Sequence, residues 1–212
     1  MYQTVLFDLD GTLIDHVPAI HRSYVHTMAQ LGKPKPTYEQ VKGAIGGGLE
    51  NAMSRFVAKS ELPKALAIYR EFWDRTMLDG ATILPGAVEL LQKLQARGLT
   101  LTVMTNKIGT SSRELCAHLE IASYFKEIFG AQDTPWLKPA KELSAYVLTA
   151  LEAKPETACM IGDSTWDIQA AHNGGFVCHT VTTGTHTAEE LSAAGADSVH
   201  PNLVELGNTV FP

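Results

Sequence analysis

The stretch Thr4-Val5-Leu6-Phe7-Asp8-Leu9-Asp10-Gly11-Thr12-Leu13-Ile14-Asp15 decides how this chain is read. Thr4 to Phe7 run without polar alternation, as a strand buried on both faces does. The run stops on two carboxylates separated by one leucine, and Gly11 then lets the backbone turn sharply. In a parallel α/β sheet, ligands bind at the carboxyl ends of the strands, so Asp8 and Asp10 are aimed at a ligand-binding edge. Two carboxylates crowded there repel each other unless a cation neutralises them. A hard divalent cation with oxygen ligands, Mg²⁺ above all, suits the pair.

Working outward, residues 100–104, 127–129, 158–161 and 176–181 repeat the short apolar run, and 198–199 does so more weakly. Helical patterns separate them. Ala87, Leu90, Leu91 and Leu94 share one face, and Leu143, Val147 and Leu151 share another. Ser111 with Glu114, and Thr187 with Glu190, have the spacing of capping boxes. Strands alternating with helices predict an α/β fold with a mostly parallel, Rossmann-like sheet. Residues 16–80 break the rhythm. They hold no convincing strand but four amphipathic helical patterns, one boxed by Thr37 and Gln40. The expected organisation is a core of residues 1–15 and 81–212, with residues 16–80 inserted after the first strand as a small α-helical bundle.

The length of 212 residues accommodates that arrangement, and it is long enough to fold without a disulfide or metal staple. Hydrophobic residues make up 45% of the chain and charged ones 19%, which excludes a disordered chain, a coiled coil and a collagen. Acidic residues outnumber basic ones 23 to 17, which argues against non-specific binding to nucleic acid or anionic membrane. A small anion is still admissible, because local charge can oppose net charge. Cys116, Cys159 and Cys178 are odd in number and lack metal-ligand spacing, as expected for reduced, buried thiols. With no membrane-length apolar run and no signal-peptide pattern, the expected location is the cytoplasm.

Three later strand ends carry chemistry. Thr105-Asn106-Lys107 offers a hydroxyl, an amide and backbone N–H groups that can hold phosphate oxygens. Lys138-Pro139 puts a cation beside a helix N-terminus, a ready phosphate site. Gly162-Asp163-Ser164-Thr165-Trp166-Asp167 supplies two more carboxylates just after a buried strand, although Asp163 or Ser164 could equally cap the following helix.

Together these four strand ends resemble the haloacid dehalogenase-like superfamily. Its motifs are a DxDGT strand end, a Ser or Thr strand end, a Lys, and a GDxxxD strand end. All four occur here in order. The resemblance spans the whole chain, and the inserted helical bundle matches the phosphoglycolate phosphatase-like branch. It implies that Asp8 is the phosphoryl-accepting nucleophile and Asp10 the general acid and then base. It further implies that Thr105, Asn106 and Lys138 bind the phosphoryl group, and that Asp8, Asp10, Asp163 and Asp167 form the Mg²⁺ site. The function it implies is a Mg²⁺-dependent phosphatase that hydrolyses small, phosphoglycolate-like phosphomonoesters through an aspartyl-phosphate, and the expected partner is a small phosphorylated metabolite.

Dehalogenases of the superfamily lack the second Asp of the first motif, because a halide leaving group needs no proton, so Asp10 favours phosphate chemistry. An alternative is a sugar-phosphate mutase of the β-phosphoglucomutase type, but the position of that group's cap histidine is Ile20 here. A more distant alternative is a non-catalytic phospho-acceptor module, which is shorter and lacks the helical insert. Within the cap, Gly46, Gly47 and Gly48 would let backbone approach a small anion, and His16 stands at the hinge where it could touch substrate. Tyr69, Phe72 and Trp73, at helical spacing, are read as cap core.

Overall fold

A computed structural model describes residues 1–212. The first strand, β1 (Thr4–Phe7), is followed by a two-residue strand, β2 (Ile14–Asp15). Four helices come next: α1 (Val17–Gln30), α2 (Tyr38–Lys42), α3 (Leu49–Met53) and α4 (Leu62–Thr76). The chain returns through β3 (Thr82–Ile83) and α5 (Ala87–Ala96), then β4 (Thr100–Ile108), α6 (Gly109–His118) and β5 (Glu127–Ala131). It ends with α7 (Lys141–Leu151), β6 (Ala158–Gly162), α8 (Thr165–Asn173), β7 (Val177–Val181), α9 (Ala188–Ala193), β8 (Ser198–His200) and α10 (Leu203–Thr209).

Six strands form one sheet in the order β5-β4-β1-β6-β7-β8, every neighbouring pair parallel. This is a doubly wound α/β core. The chain leaves β1 for β4 on one side and later returns to β6 on the other, so the strand order reverses at β1. A crevice opens at such a switch point, at the carboxyl ends of the strands. The strand ends singled out above therefore sit side by side, because β1, β4 and β6 are direct neighbours.

Burial on both faces explains the apolar strands. Val5 and Phe7 pack with Leu91, Leu94 and Leu115 on one face of the sheet. Leu6 and Met160 pack with Val147 and Ile168 on the other. The helical insert has a separate core in which Tyr24, Met28, Met53, Leu66 and Trp73 meet. β2 and β3 pair antiparallel, Ile14 opposite Ile83, and this short ribbon is the neck between insert and sheet. Two residues per strand leave too little period-2 pattern to read, which is why the ribbon escapes sequence analysis.

Two local expectations need correction. The Ser111–Glu114 spacing does not start a helix: α6 begins at Gly109, and Ser111 is buried inside it, accepting a hydrogen bond from Trp73 Nε1 at 3.1 Å. The second strand also runs further than its apolar run. Met104 is opposite Phe129 and Ile108 opposite Ala131, so Thr105, Asn106 and Lys107 face Gly130 alone. A bulge of this kind re-aims side chains at a sheet edge. A Cβ on Gly130 would lie 2.6 Å from the Lys107 carbonyl oxygen, so the crowded stretch needs glycine there.

Leu91 is fully buried at the centre of the larger core cluster. Leu91→Ala is expected to cost about 2–5 kcal/mol of unfolding free energy. Urea denaturation checks this; a loss under about 1 kcal/mol would mean that this face is not tightly packed.

Candidate active site

Asp8, Lys138, Asp163 and Asp167 are all buried at the crevice. The Lys138 ammonium lies 2.9 Å from Asp8 Oδ1 and 2.6 Å from Asp167 Oδ1. Only the contact with Asp167 is well directed. Asp8 Oδ1 keeps no hydrogen-bond donor despite its burial. Asp167 Oδ2 accepts from the Ser164 N–H at 3.0 Å, the Ser164 hydroxyl at 2.6 Å and the Asp163 N–H at 3.2 Å. Asp163 Oδ1 accepts from Thr12 Oγ1 at 3.2 Å, and its Oδ2 accepts from the Thr185 N–H at 3.0 Å.

Asp10 faces elsewhere. Its two oxygens lie 3.2 and 2.9 Å from Lys107 Nζ, and Oδ1 lies 3.6 Å from His16 Nδ1. The Lys107 ammonium also sits 4.6 Å from the centre of the Trp73 ring, a cation–π contact. His16 is fully buried, and its Nε2 donates to the Met77 carbonyl at the far end of the neck at 2.6 Å.

The two acids of the first motif therefore have opposite electrostatics. Burial pushes the Asp8 carboxyl up to about 6, with the Lys138 charge only partly opposing it. Burial also acts to raise Asp10, but the charge of Lys107 and then the contact with His16 outweigh it and hold Asp10 well below the usual carboxylate range. Asp163 is raised well above its ordinary value by burial and by the charges of Asp167 and Asp8. For Lys138, the neighbouring carboxylates Asp167 and Asp8 outweigh burial and strengthen its hold on the proton.

Carboxylate oxygens of Asp8, Asp163 and Asp167 lie within 4.8 Å of one another. Three carboxylates against one ammonium leave an excess of negative charge, and the donor set is all oxygen. That suits a hard divalent cation. The donorless Asp8 Oδ1 fits the same need. Glycines shape the cradle: a Cβ on Gly184 would overlap Asp163 Oδ2, and one on Gly11 would lie 2.8 Å from it. Gly11 also has φ +84°, which only glycine adopts without strain.

A cavity of about 80 Å³ lies between this edge and the helical insert. Asp8, Asp10, Thr105 and Lys107 line its floor; Ile20, Tyr24, Ile45, Leu49, Tyr69 and Trp73 line its roof and walls.

The family model for haloacid dehalogenase-like hydrolases matches residues 5–181, most of the chain. The chain belongs to the haloacid dehalogenase-like hydrolase family. A 5′-nucleotidase of Pseudomonas aeruginosa is 33% identical over 194 residues, covering 91% of this chain and 88% of its own. A phosphoglycolate phosphatase of Caulobacter vibrioides is 32% identical over 210 residues, covering 96% and 88%. The structure of a haloacid dehalogenase-like hydrolase from Streptococcus pneumoniae superposes with a TM-score of 0.91 at 26% identity, covering 99% of this chain and 98% of that one.

Within this haloacid dehalogenase-like site, several sequence expectations are corrected by geometry. The Asp10 side chain is turned to Lys107 and His16 and lies outside the group of carboxylates that could hold a metal ion. Asp167 stays within the group of carboxylates, and its two oxygens also hold Lys138 and the Ser164 turn. The Asn106 amide donates to the Gly46 and Lys138 carbonyls and accepts from the Lys138 N–H, so it grips protein and leaves no side-chain donor for phosphate. Gly46 and Gly48 line the cavity, but Gly47 does not; it packs against Asn51 and Trp166. His16 is fully buried beside Asp10 and does not line the cavity. Tyr69 and Trp73 are buried in the insert as expected, yet both also face the cavity; Phe72 stacks on His26 instead.

Lys107, Thr12, Gly184 and Thr185 are the functional neighbours that sequence reasoning missed. Lys107 was visible beside Thr105. Thr12, Gly184 and Thr185 approach Asp163 from 151, 21 and 22 residues away, which no local pattern encodes.

Gly184→Ala is expected to displace Asp163 and weaken Mg²⁺ binding by at least tenfold in a folded protein. Titration calorimetry with Mg²⁺ checks this; wild-type affinity would show that the cradle is not needed. Metal must also displace protons from the raised carboxyls. Asp8 favours its proton below about pH 6, so Mg²⁺ affinity is expected to rise as pH increases from 5 to 7.5. An affinity independent of pH over that range would contradict the assignment of Asp8 as a ligand.

Proposed function

We propose that this chain is a Mg²⁺-dependent phosphatase that hydrolyses small phosphomonoesters through an aspartyl-phosphate on Asp8. The observation that carries the reading is the pairing of Asp8, buried with its Oδ1 2.9 Å from the Lys138 ammonium, with a second acid, Asp10, held in a different environment two residues on. The relatives named as phosphatase and nucleotidase support it.

In the first half-reaction, an Asp8 carboxylate oxygen attacks phosphorus, the bond from phosphorus to the ester oxygen breaks, and Asp10 supplies the proton that the leaving alkoxide takes. In the second, Asp10 removes a proton from water, water attacks phosphorus, and the Asp8 carboxylate leaves. The net change is ester plus water to alcohol plus phosphate. Asp10 must carry a proton for the first half-reaction, so Lys107 has to loosen its hold when the substrate's own anionic oxygens enter. Lys138 faces the developing charge on the phosphoryl oxygens, and Thr105 lines the same floor. Asp167 fixes Lys138, and the insert keeps bulk water from the acyl phosphate. The Mg²⁺, held by Asp8 and Asp163, would neutralise the repulsion between a carboxylate and a phosphate dianion.

Ile20 occupies the cavity wall where the mutase alternative needs a histidine, and His21 turns away to the Pro36 carbonyl, which favours the phosphatase. No helix is long and apolar enough to cross a membrane. Free, buried Cys116, Cys159 and Cys178 support a reducing cytoplasm.

Asp8→Asn is expected to lower kcat more than a thousandfold with Mg²⁺ and p-nitrophenyl phosphate while the far-UV spectrum is unchanged. Asp10→Asn should cost about 10²–10⁴-fold with a poor leaving group, and less in the first step with p-nitrophenolate. Equal single-turnover losses for both leaving groups would remove Asp10 from the acid role.

A further inference from the structure

The insert meets the strand ends at two seats. One lies beside the neck. Trp73 Nε1 donates to Ser111 Oγ at 3.1 Å, the Lys107 ammonium lies over the Trp73 ring, and that ring packs on His16, which bonds the Met77 carbonyl. The other seat is the run Gly46-Gly47-Gly48. It meets Asn106, Leu137 and Trp166, each next in sequence to a residue of the site: Thr105, Lys138 and Asp167.

Close approach builds this second seat. A Cβ on Gly46 would lie 3.0 Å from Trp166 Cδ1, one on Gly47 3.0 Å from Trp166 Cζ2, and one on Gly48 3.1 Å from Leu137 Cδ1. Two successive residues thus rest on the two rings of one indole, nearer than side chains would allow. The glycines serve that packing and not an anion. Gly46 turns its carbonyl, an acceptor, to the Asn106 amide at 2.9 Å, and Gly47 does not line the cavity. Even so, Ile45, Gly46 and Gly48 line the cavity together with Thr105 and Asn106, so the run helps enclose the space where a phosphoryl group would sit. The two seats differ in strength. The neck seat has two directed hydrogen bonds and a cation–π contact. The glycine run has one hydrogen bond and the face of a half-buried indole, so it parts more easily.

We infer that Trp166 is a positioning residue for catalysis. The Gly46–Gly48 run parts from it to admit substrate and seats on it again to enclose the phosphoryl group, while the Trp73 seat at the neck stays joined. Trp166 does not line the cavity, so it acts through closure and the exclusion of water. The catalytic part of this rests on the phosphatase reading; the seat itself does not.

Two measurements test it. In the unliganded protein, hydrogen–deuterium exchange of the amides of residues 43–53 is expected to quicken at least tenfold in Trp166→Ala, and that of residues 14–17 and 73–83 less than twofold. With Mg²⁺ and p-nitrophenyl phosphate, Trp166→Ala is expected to lose at least tenfold in kcat/KM, and Trp166→Phe, which keeps a flat ring, to be at least fivefold better than Trp166→Ala. Gly47→Ala must push on Trp166 and on the exposed Asn51 side chain. It is expected to cost at least fivefold in the wild-type background and less than twofold in the Trp166→Ala background, where the methyl has room. Full activity of Trp166→Ala, independent losses in the double variant, unchanged exchange at the glycine run, or equally quickened exchange at the neck overturns the inference. If Trp166→Ala does not fold, the same cycle and exchange comparison are made with Trp166→Phe. If the wild type does not turn over p-nitrophenyl phosphate, the phosphatase reading fails and the exchange comparison alone decides the seat.

Discussion

The Lys138 ammonium, buried between Asp8 and Asp167, is the interaction on which the rest of the site depends. Removing a partner from such a buried pair typically costs about 3–5 kcal/mol, because the other charge is stranded. The fold therefore has to deliver all three side chains together from separate elements. β1 brings Asp8, the first turn of α8 brings Asp167, and the segment between β5 and α7 brings Lys138. That segment has no regular structure of its own. Its backbone is pinned on both the N–H and the carbonyl of Lys138 by the Asn106 amide, which comes off the bulged end of β4. The same amide reaches the Gly46 carbonyl, so the lysine, the second motif and the insert meet at one side chain.

This arrangement is held at some cost to the metal-free fold. Asp8 and Asp163 both have raised carboxyl pKa values, so each would rather be protonated in the folded chain than charged. In linkage terms their ionisation weakens the fold as pH rises through about 6, the value for Asp8, and a bound dication reverses that penalty. Asp10 behaves oppositely: its depressed value means that the folded state favours its charged form at neutral pH. Neighbouring acids on one strand end are thereby set apart, one by burial and one by a lysine and a histidine.

Much of the core was legible in the sequence. Thr4–Phe7 announces a buried strand through continuous apolarity, and Asp8 and Asp163 are found because carboxylates directly after such runs stand at a ligand-binding edge. What could not be read is orientation and long-range approach. Asp10 and Asp167 have the right spacing for ligands, but whether a carboxylate faces a metal or a lysine is decided by Lys107 and Lys138, which arrive from β4 and from the segment between β5 and α7. Asn106 reads as a phosphate donor until Lys138 and Gly46 are seen to occupy it. Tyr69 and Trp73 lie on one helix face that serves both the insert's core and the cavity, and periodicity alone cannot separate the two roles.

The most direct test of the account is to catch the covalent intermediate. The enzyme is mixed with substrate and Mg²⁺, quenched in acid within a single turnover and reduced with borohydride, which converts an acyl phosphate to an alcohol. Peptide mass spectrometry then locates the change. The account predicts homoserine at position 8 only when substrate is present, and none at positions 10, 163 or 167. Turnover with no reduction at Asp8, or reduction at another carboxylate, would contradict it.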